Sequence, residues 1–391
     1  MRKVFFFLAL AVLPVMAQTG AFDVDINEPG YFKVAVPDGN YKVTVTVGAP
    51  DRASQTVIRA ENRRLMVENA FTLKDKYVDY EFVVNKRSVN YVLDGKDGVV
   101  KIKEREKDYL TWDDFLTLEF NGPAPAVRHI TIQPDTTATT IFLCGNSTVV
   151  DQPTEPWASW GQMIPRWFGP QVAISNHAES GLTARTFLAS NRLDQILSMM
   201  RPGDYVICEF GHNDEKEHAD GDGPWYHYAH NLKIFVDKVR KRGGVVIFCT
   251  PTQRRFWEDD QKHISNTHGD FPAAMKAVAE RENVPVIDLN AMTKTFFETL
   301  GFEDSKRALV FYPANTYPNQ EKELADKTHF NPYGAYEVAK MVVQGMVDLQ
   351  LPVINGLRER WKTFNPAVPD DWHTFKWYDA DATDTTKPDG N

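Results

Sequence analysis

Two rhythms of apolar residues run along the chain. From residue 22 to about 133, segments such as Tyr31-Phe32-Lys33-Val34-Ala35-Val36, Tyr41-Lys42-Val43-Thr44-Val45-Thr46-Val47, Tyr80-Glu81-Phe82-Val83-Val84 and Leu116-Thr117-Leu118-Glu119-Phe120 alternate apolar with polar positions. They are rich in β-branched and aromatic residues and are punctuated by Pro-Gly, Asp-Gly and Asn-Gly pairs. A period of two with turns at this spacing and no convincing helices predicts an all-β sandwich.

Past the polar stretch at 134–140, read as a linker, the rhythm changes. Apolar runs at 141–144, 172–175, 205–210, 245–250 and 285–289 read as buried strands. Helical patterns lie between and after them, at 184–200, 227–240, 271–282, 291–300 and 333–349. Strand and helix in alternation predict a parallel sheet covered by helices, a three-layer α/β/α fold over residues 140–350. Asn331-Pro332 supplies a cap and a first-turn proline for the last helix. Residues 351–391 form a C-terminal extension whose Trp361, Trp372 and Trp377 are expected to pack on the body, with the final dozen residues frayed.

At the other end, Arg2-Lys3, the apolar run Val4 to Val15 and the small residues before Gln18 have the order of a secretory signal peptide spanning 1–17. That implies a secreted or periplasmic protein, and the lack of a cysteine after the run argues against a lipid anchor. No later stretch approaches the roughly 20 apolar residues of a membrane span. A net charge of −9 disfavours nucleic acid as a partner. Cys144, Cys208 and Cys249 each sit inside an apolar run and read as buried free thiols.

Chemistry is expected at the carboxyl ends of the parallel strands, where ligands of such folds bind. Ser147 follows the first strand, in Gly145-Asn146-Ser147-Thr148. A serine hydroxyl needs a base to become a nucleophile. One stands in Asp326-Lys327-Thr328-His329, read as a loop before the last helix, where Asp326 can orient the His329 ring. Gly181, after the second strand, can bring a backbone N–H close to a ligand, and Asn213, in Gly211-His212-Asn213-Asp214 after the third, can offer a side-chain amide.

In their order, these blocks resemble the SGNH (GDSL-like) hydrolase superfamily. Within it, GNSTVVDQ, SNHAESGLTARTF, EFGHND, TPTQRRF and DKTHFNPYGA look like the rhamnogalacturonan acetylesterase family. The resemblance implies a flavodoxin-like sheet, Ser147, His329 and Asp326 as a catalytic triad, and an oxyanion hole from the Ser147 and Gly181 N–H groups and the Asn213 amide. It implies no cofactor and no metal. The chain would then remove acetyl groups from an acetylated plant cell-wall polysaccharide or oligosaccharide. Asn146 departs from the aspartate usual in the family, and the galactose-binding-like sandwich, a glycan binder or a brace, is extra to its minimal members.

Other residues have two readings each. Trp225 and Trp257 are candidate sugar platforms or plain loop residues, whereas Trp160 and Trp167, spaced along one helix face, read as core. Arg254 and Arg255 could grip a galacturonate carboxylate or form ordinary ion pairs. His227 and His230 lack further metal ligands, and His212 reads as structural. Xylan or a lipid as substrate, and a non-catalytic glycan-binding protein, are the competing functions.

Overall fold

The computed structural model describes residues 20–389, so the signal-peptide expectation lies outside the described residues. The alternating N-terminal segments form β1 (Gly20–Ile26), β2 (Gly30–Ala35), β3 (Gly39–Val47), β4 (Ser54–Ala60), β5 (Arg64–Thr72) and β6 (Val78–Lys86). A small hairpin, β7 (Asn90–Leu93) and β8 (Lys96–Val99), precedes β9 (Phe115–Ala124) and β10 (Val127–Pro134). Period-two burial, as at Tyr41, Val43, Val45 and Val47 of β3, turns one face of each sheet inward onto Leu116, Leu118 and Phe120 of β9.

Five parallel strands follow: β11 (Thr139–Gly145), β12 (Val172–Asn176), β13 (Tyr205–Glu209), β14 (Val245–Cys249) and β15 (Val286–Ile287). Along β11, Ile141 and Leu143 enter one helix-covered core and Phe142 and Cys144 the other, which makes the sheet the middle of three layers. The first core takes α1 (Trp160–Met163), α6 (Leu289–Asp304) and α7 (Pro332–Asp348). The second takes α2 (Ala184–Ala189), α3 (Arg192–Met199), α4 (Ala229–Lys241) and α5 (Phe271–Glu282). All three cysteines are buried free thiols.

The sandwich and the α/β layer share one sheet. Its order is β1-β10-β3-β6-β12-β11-β13-β14-β15, with β6 running parallel to β12 through Val83 opposite Ala173 and Val84 opposite Ile174. The other sandwich sheet is β2-β9-β4-β5. The polar stretch read as a linker is a short turn in which Asp135 accepts the Thr137 and Ala138 N–H groups.

Three further expectations are corrected. The helix expected over 184–200 is broken at Asn191, whose φ of +64° ends α2 and starts α3. The Asp326–His329 segment is a strand, β17 (Leu324–Phe330), paired antiparallel with β16 (Leu309–Tyr312), whose apolar run Leu309-Val310-Phe311-Tyr312 lies outside the strands expected from the sequence. The end of the chain is held through residue 389. Glu155 donates its N–H to Ala382, Asp384 donates to Glu155, and Trp157 Nε1 donates to the Asp384 carbonyl at 2.8 Å. Among the described residues no helix is long and apolar enough to cross a membrane.

Candidate active site

β12, β11 and β13 are neighbours and parallel, so the segments after them emerge at one sheet edge. Those segments carry Gly181, Ser147 and Asn213. Ser147 sits in the turn that follows Gly145, a position with no room for a side chain: a Cβ there would lie 2.9 Å from the Glu209 carbonyl. Asn146 braces this turn by accepting the Thr148 N–H and hydroxyl on its Oδ1, at 3.1 and 3.0 Å. Its own amide nitrogen is buried without a partner.

From 182 residues downstream, β17 delivers the imidazole. His329 Nε2 lies 2.9 Å from Ser147 Oγ, and His329 Nδ1 lies 2.9 Å from Asp326 Oδ2. The other Asp326 oxygen accepts the N–H groups of Thr328 and His329 at 2.7 and 2.8 Å. Burial alone would raise the Asp326 pKa, but the hydrogen bond and charge of His329 and these two N–H groups outweigh it and hold the carboxyl at about 2. Trp157 stands edge-on to the His329 ring at 5.5 Å and limits its swing. A hydroxyl on one imidazole nitrogen and a carboxylate on the other is the arrangement that lets a serine lose its proton as it attacks a carbonyl.

Candidate donors for a developing oxyanion lie at the same edge. Neither the Ser147 nor the Gly181 N–H is given to another group among the described residues. Gly181 adopts a φ of +77°, open to glycine at little cost. Asn213 spends one amide hydrogen on the Leu182 carbonyl at 3.1 Å, which leaves the second to give. Asp214 fixes this turn by accepting the N–H groups of Ala184 and Gly211 at 2.8 and 2.9 Å, and burial pushes its carboxyl up to about 7.

One residue of the floor escaped the sequence reading. Glu209, the last residue of β13, is fully buried and accepts the Thr148 hydroxyl, the Trp160 Nε1–H and the Thr252 N–H. Burial pushes its pKa up to about 7 against the pull of these three donors. Its signal was a charged residue inside an otherwise apolar strand, Tyr205-Val206-Ile207-Cys208-Glu209-Phe210.

The arginine expectation is corrected. Arg254 and Arg255 are both buried, and their guanidinium groups are committed to the protein. Arg254 pairs with Glu215 and donates to the His212 carbonyl, while Arg255 donates to Ser305 Oγ at 2.8 Å and to the Phe302 carbonyl. Residues that follow a buried strand turned inward here because carboxylate and carbonyl partners awaited them. Trp225 is 52% exposed and donates its Nε1–H to Asp270. Trp257 lies half-buried against Phe302, in a cavity of about 320 Å³ that also holds Phe256 and Lys327. Trp160 and Trp167 are core. His212 is buried, and burial, His268 and Arg254 hold it well below the usual histidine range, hence neutral. His227 pairs with Asp222, and no group of three or more His, Cys, Asp or Glu among the described residues is placed to hold a metal.

The GDSL-like Lipase/Acylhydrolase family matches residues 143–335, the span that contains every residue of this edge. Rhamnogalacturonan acetylesterase RhgT of Bacillus subtilis is 40% identical over 222 residues, covering 56% of this chain and 94% of that protein. A rhamnogalacturonan acetylesterase of Emericella nidulans is 27% identical over 243 residues, covering 57% of this chain and 90% of its own. The uncharacterized esterase YxiM of Bacillus subtilis aligns more widely, at 26% identity over 320 residues and 80% of this chain. Because the first of these relatives is matched over nearly its full length, the chain belongs to the GDSL-like (SGNH) acylhydrolase family and is a carboxylic ester hydrolase.

Proposed function

We propose that the protein removes O-acetyl groups from a pectic polysaccharide, rhamnogalacturonan, through an acyl-enzyme on Ser147. The observation that carries this reading is the unbroken line from Ser147 Oγ through His329 to Asp326. His329 Nε2 takes the hydroxyl proton as Ser147 Oγ attacks the acetyl carbonyl, and Asp326 stabilises the imidazolium that forms. The carbonyl oxygen, now an oxyanion, is met by the Ser147 and Gly181 N–H groups and the Asn213 amide. The imidazolium returns its proton to the departing sugar oxygen, leaving acetate esterified to Ser147. Water, deprotonated by the same His329, then frees acetate and restores the serine.

The substrate class rests on the names of the relatives, two of them rhamnogalacturonan acetylesterases. The leader-like residues 1–17 support an extracytoplasmic place of action, where such a polymer is met. Initial rates of acetate release from acetylated rhamnogalacturonan and acetylated xylan, with an aryl acetate as a generic ester, test the reading. Preference for the first polymer is expected. Release from xylan alone would keep the mechanism and replace the substrate, and turnover of none of the three would overturn both.

A further inference from the structure

Beside Gly181 the structure brings together two cations that belong to the sandwich half of the chain. Residues 100–114, between β8 and β9, cross onto the α/β layer, where Glu106 and Arg192 form a fully buried ion pair that pins the crossing. Lys103 and Arg105 flank that anchor. Lys103 Nζ donates to the Ser180 carbonyl at 2.6 Å, and Arg105 donates to the same carbonyl at 3.0 Å and to the buried carboxylate of Glu179. Both cations are therefore held from behind by the strand-end loop that carries Gly181. Their other polar partners are Tyr109, beside Arg105, and the tail of the chain.

A carboxylate already occupies the outward side. Asp389 Oδ2 lies 3.0 Å from Lys103 Nζ and 2.8 Å from Arg105 NH1. It also abuts the glycine, since a Cβ on Gly181 would lie 2.9 Å from Asp389 Cβ and 3.0 Å from Lys103 Nζ. Two residues earlier on the same tail, Lys387 Nζ approaches Asp326 Oδ2 to 3.5 Å. The tail thus spans the mouth between the Gly181 loop and the His329 strand. Asp389 is 56% exposed, so a ligand carboxylate can replace it from solvent, whereas the cations stay in place on Ser180 and Glu179. Two cations against the single carboxylate of Glu179 leave a surplus positive charge there, in a chain whose net charge is −9.

We propose that Lys103 and Arg105 form a carboxylate subsite beside Gly181 that takes a uronate of the acetylated glycan, and that Asp389 is the chain's own stand-in for that group. The subsite rests on the reading of Ser147, Gly181 and Asn213 as the place of reaction, and it gives the uronate of the substrate a contact of its own. The region N-terminal to the family match thereby acquires a part in choosing the substrate. A charge-assisted pair at such a site is worth about ten-fold in affinity.

Calorimetric titration of the full chain with trigalacturonate, and with neutral galactotriose in parallel, reads the subsite without depending on turnover. Trigalacturonate is expected to bind and galactotriose not to. Lys103→Met should weaken trigalacturonate about ten-fold, and Asp389→Asn, which removes the internal competitor, should strengthen it. Arg105→Gln strands the buried Glu179 carboxylate and risks the fold, so Lys103→Met and Asp389→Asn carry the test. Equal affinity for the two sugars, or an affinity for trigalacturonate unmoved by both substitutions, would overturn the proposal. Because the readout is binding, failure to deacetylate any glycan would instead count against the proposed function.

Discussion

Arg64 Nε lies 2.5 Å from Asp151 Oδ2, with both side chains buried, and this pair ties the sandwich to the turn of the candidate nucleophile. Arg64 opens β5, while Asp151 closes the loop that begins at Ser147 and receives Asn176 Nδ2 on its other oxygen at 2.8 Å. Breaking a buried pair by removing one partner strands the other charge, which costs about 3–5 kcal/mol. Arg64→Met is therefore expected to lower unfolding free energy by that amount in urea titrations. A loss below about 1 kcal/mol, the worth of an exposed pair, would contradict the account.

The shared sheet makes a second expectation. Removing residues 20–133 would expose the edge of β12 along the positions that β6 covers, at Ala173 and Ile174. The shortened chain should be aggregation-prone or lack a cooperative thermal transition, while the full chain unfolds in one. A shortened chain with a sharp transition and intact hydrolysis of an aryl acetate would show that the sandwich is dispensable to the fold.

For Asp326 the pH dependence has a defined sign. Its carboxyl is held at about 2 against an ordinary 3.8, so the folded state favours the ionised form. The stability this contributes, about 2 kcal/mol, is present above pH 3.8 and is lost as pH falls toward about 2. Asp326→Asn removes that contribution, so the stability gap between wild type and variant should narrow over that window and stay constant above it. The same variant should lose about 10⁴ in kcat at neutral pH, because an asparagine does not hold the His329 tautomer. A gap that widens as pH falls would contradict the charge pairing.

Asn213→Ala tests the oxyanion donors. Removing one donor from such a site costs about 10²–10³ in kcat, with KM little changed. A rise in KM at constant kcat would make Asn213 a ground-state contact instead.

Much of this arrangement could be read from the chain, for reasons that differ by residue. Strands and their carboxyl ends follow from apolar runs, so Ser147, Gly181 and Asn213 could be placed on one edge before any coordinates. The candidate triad partners could be named because Asp326 and His329 lie three residues apart and close the family's order of blocks. What local pattern does not encode is which partner waits across the fold. Arg254 and Arg255 looked available because each follows a strand end, and only the tertiary positions of Glu215 and Ser305 turn them inward. Lys103 and Arg105 lay unremarked in a polar crossing, since nothing in their neighbourhood of the sequence announces Gly181. The pairing of β6 with β12 was hidden for the same reason: a parallel edge contact leaves no periodic trace.

The most direct test of the central claim is acetate release from acetylated rhamnogalacturonan by wild type and by Ser147→Ala at equal concentration. The account predicts release by the wild type and a fall of at least about 10⁴-fold in the variant, whose fold should be unchanged. A variant that retains activity within ten-fold of the wild type would show that Ser147 is not the nucleophile and that the line from Ser147 to Asp326 does not carry the reaction.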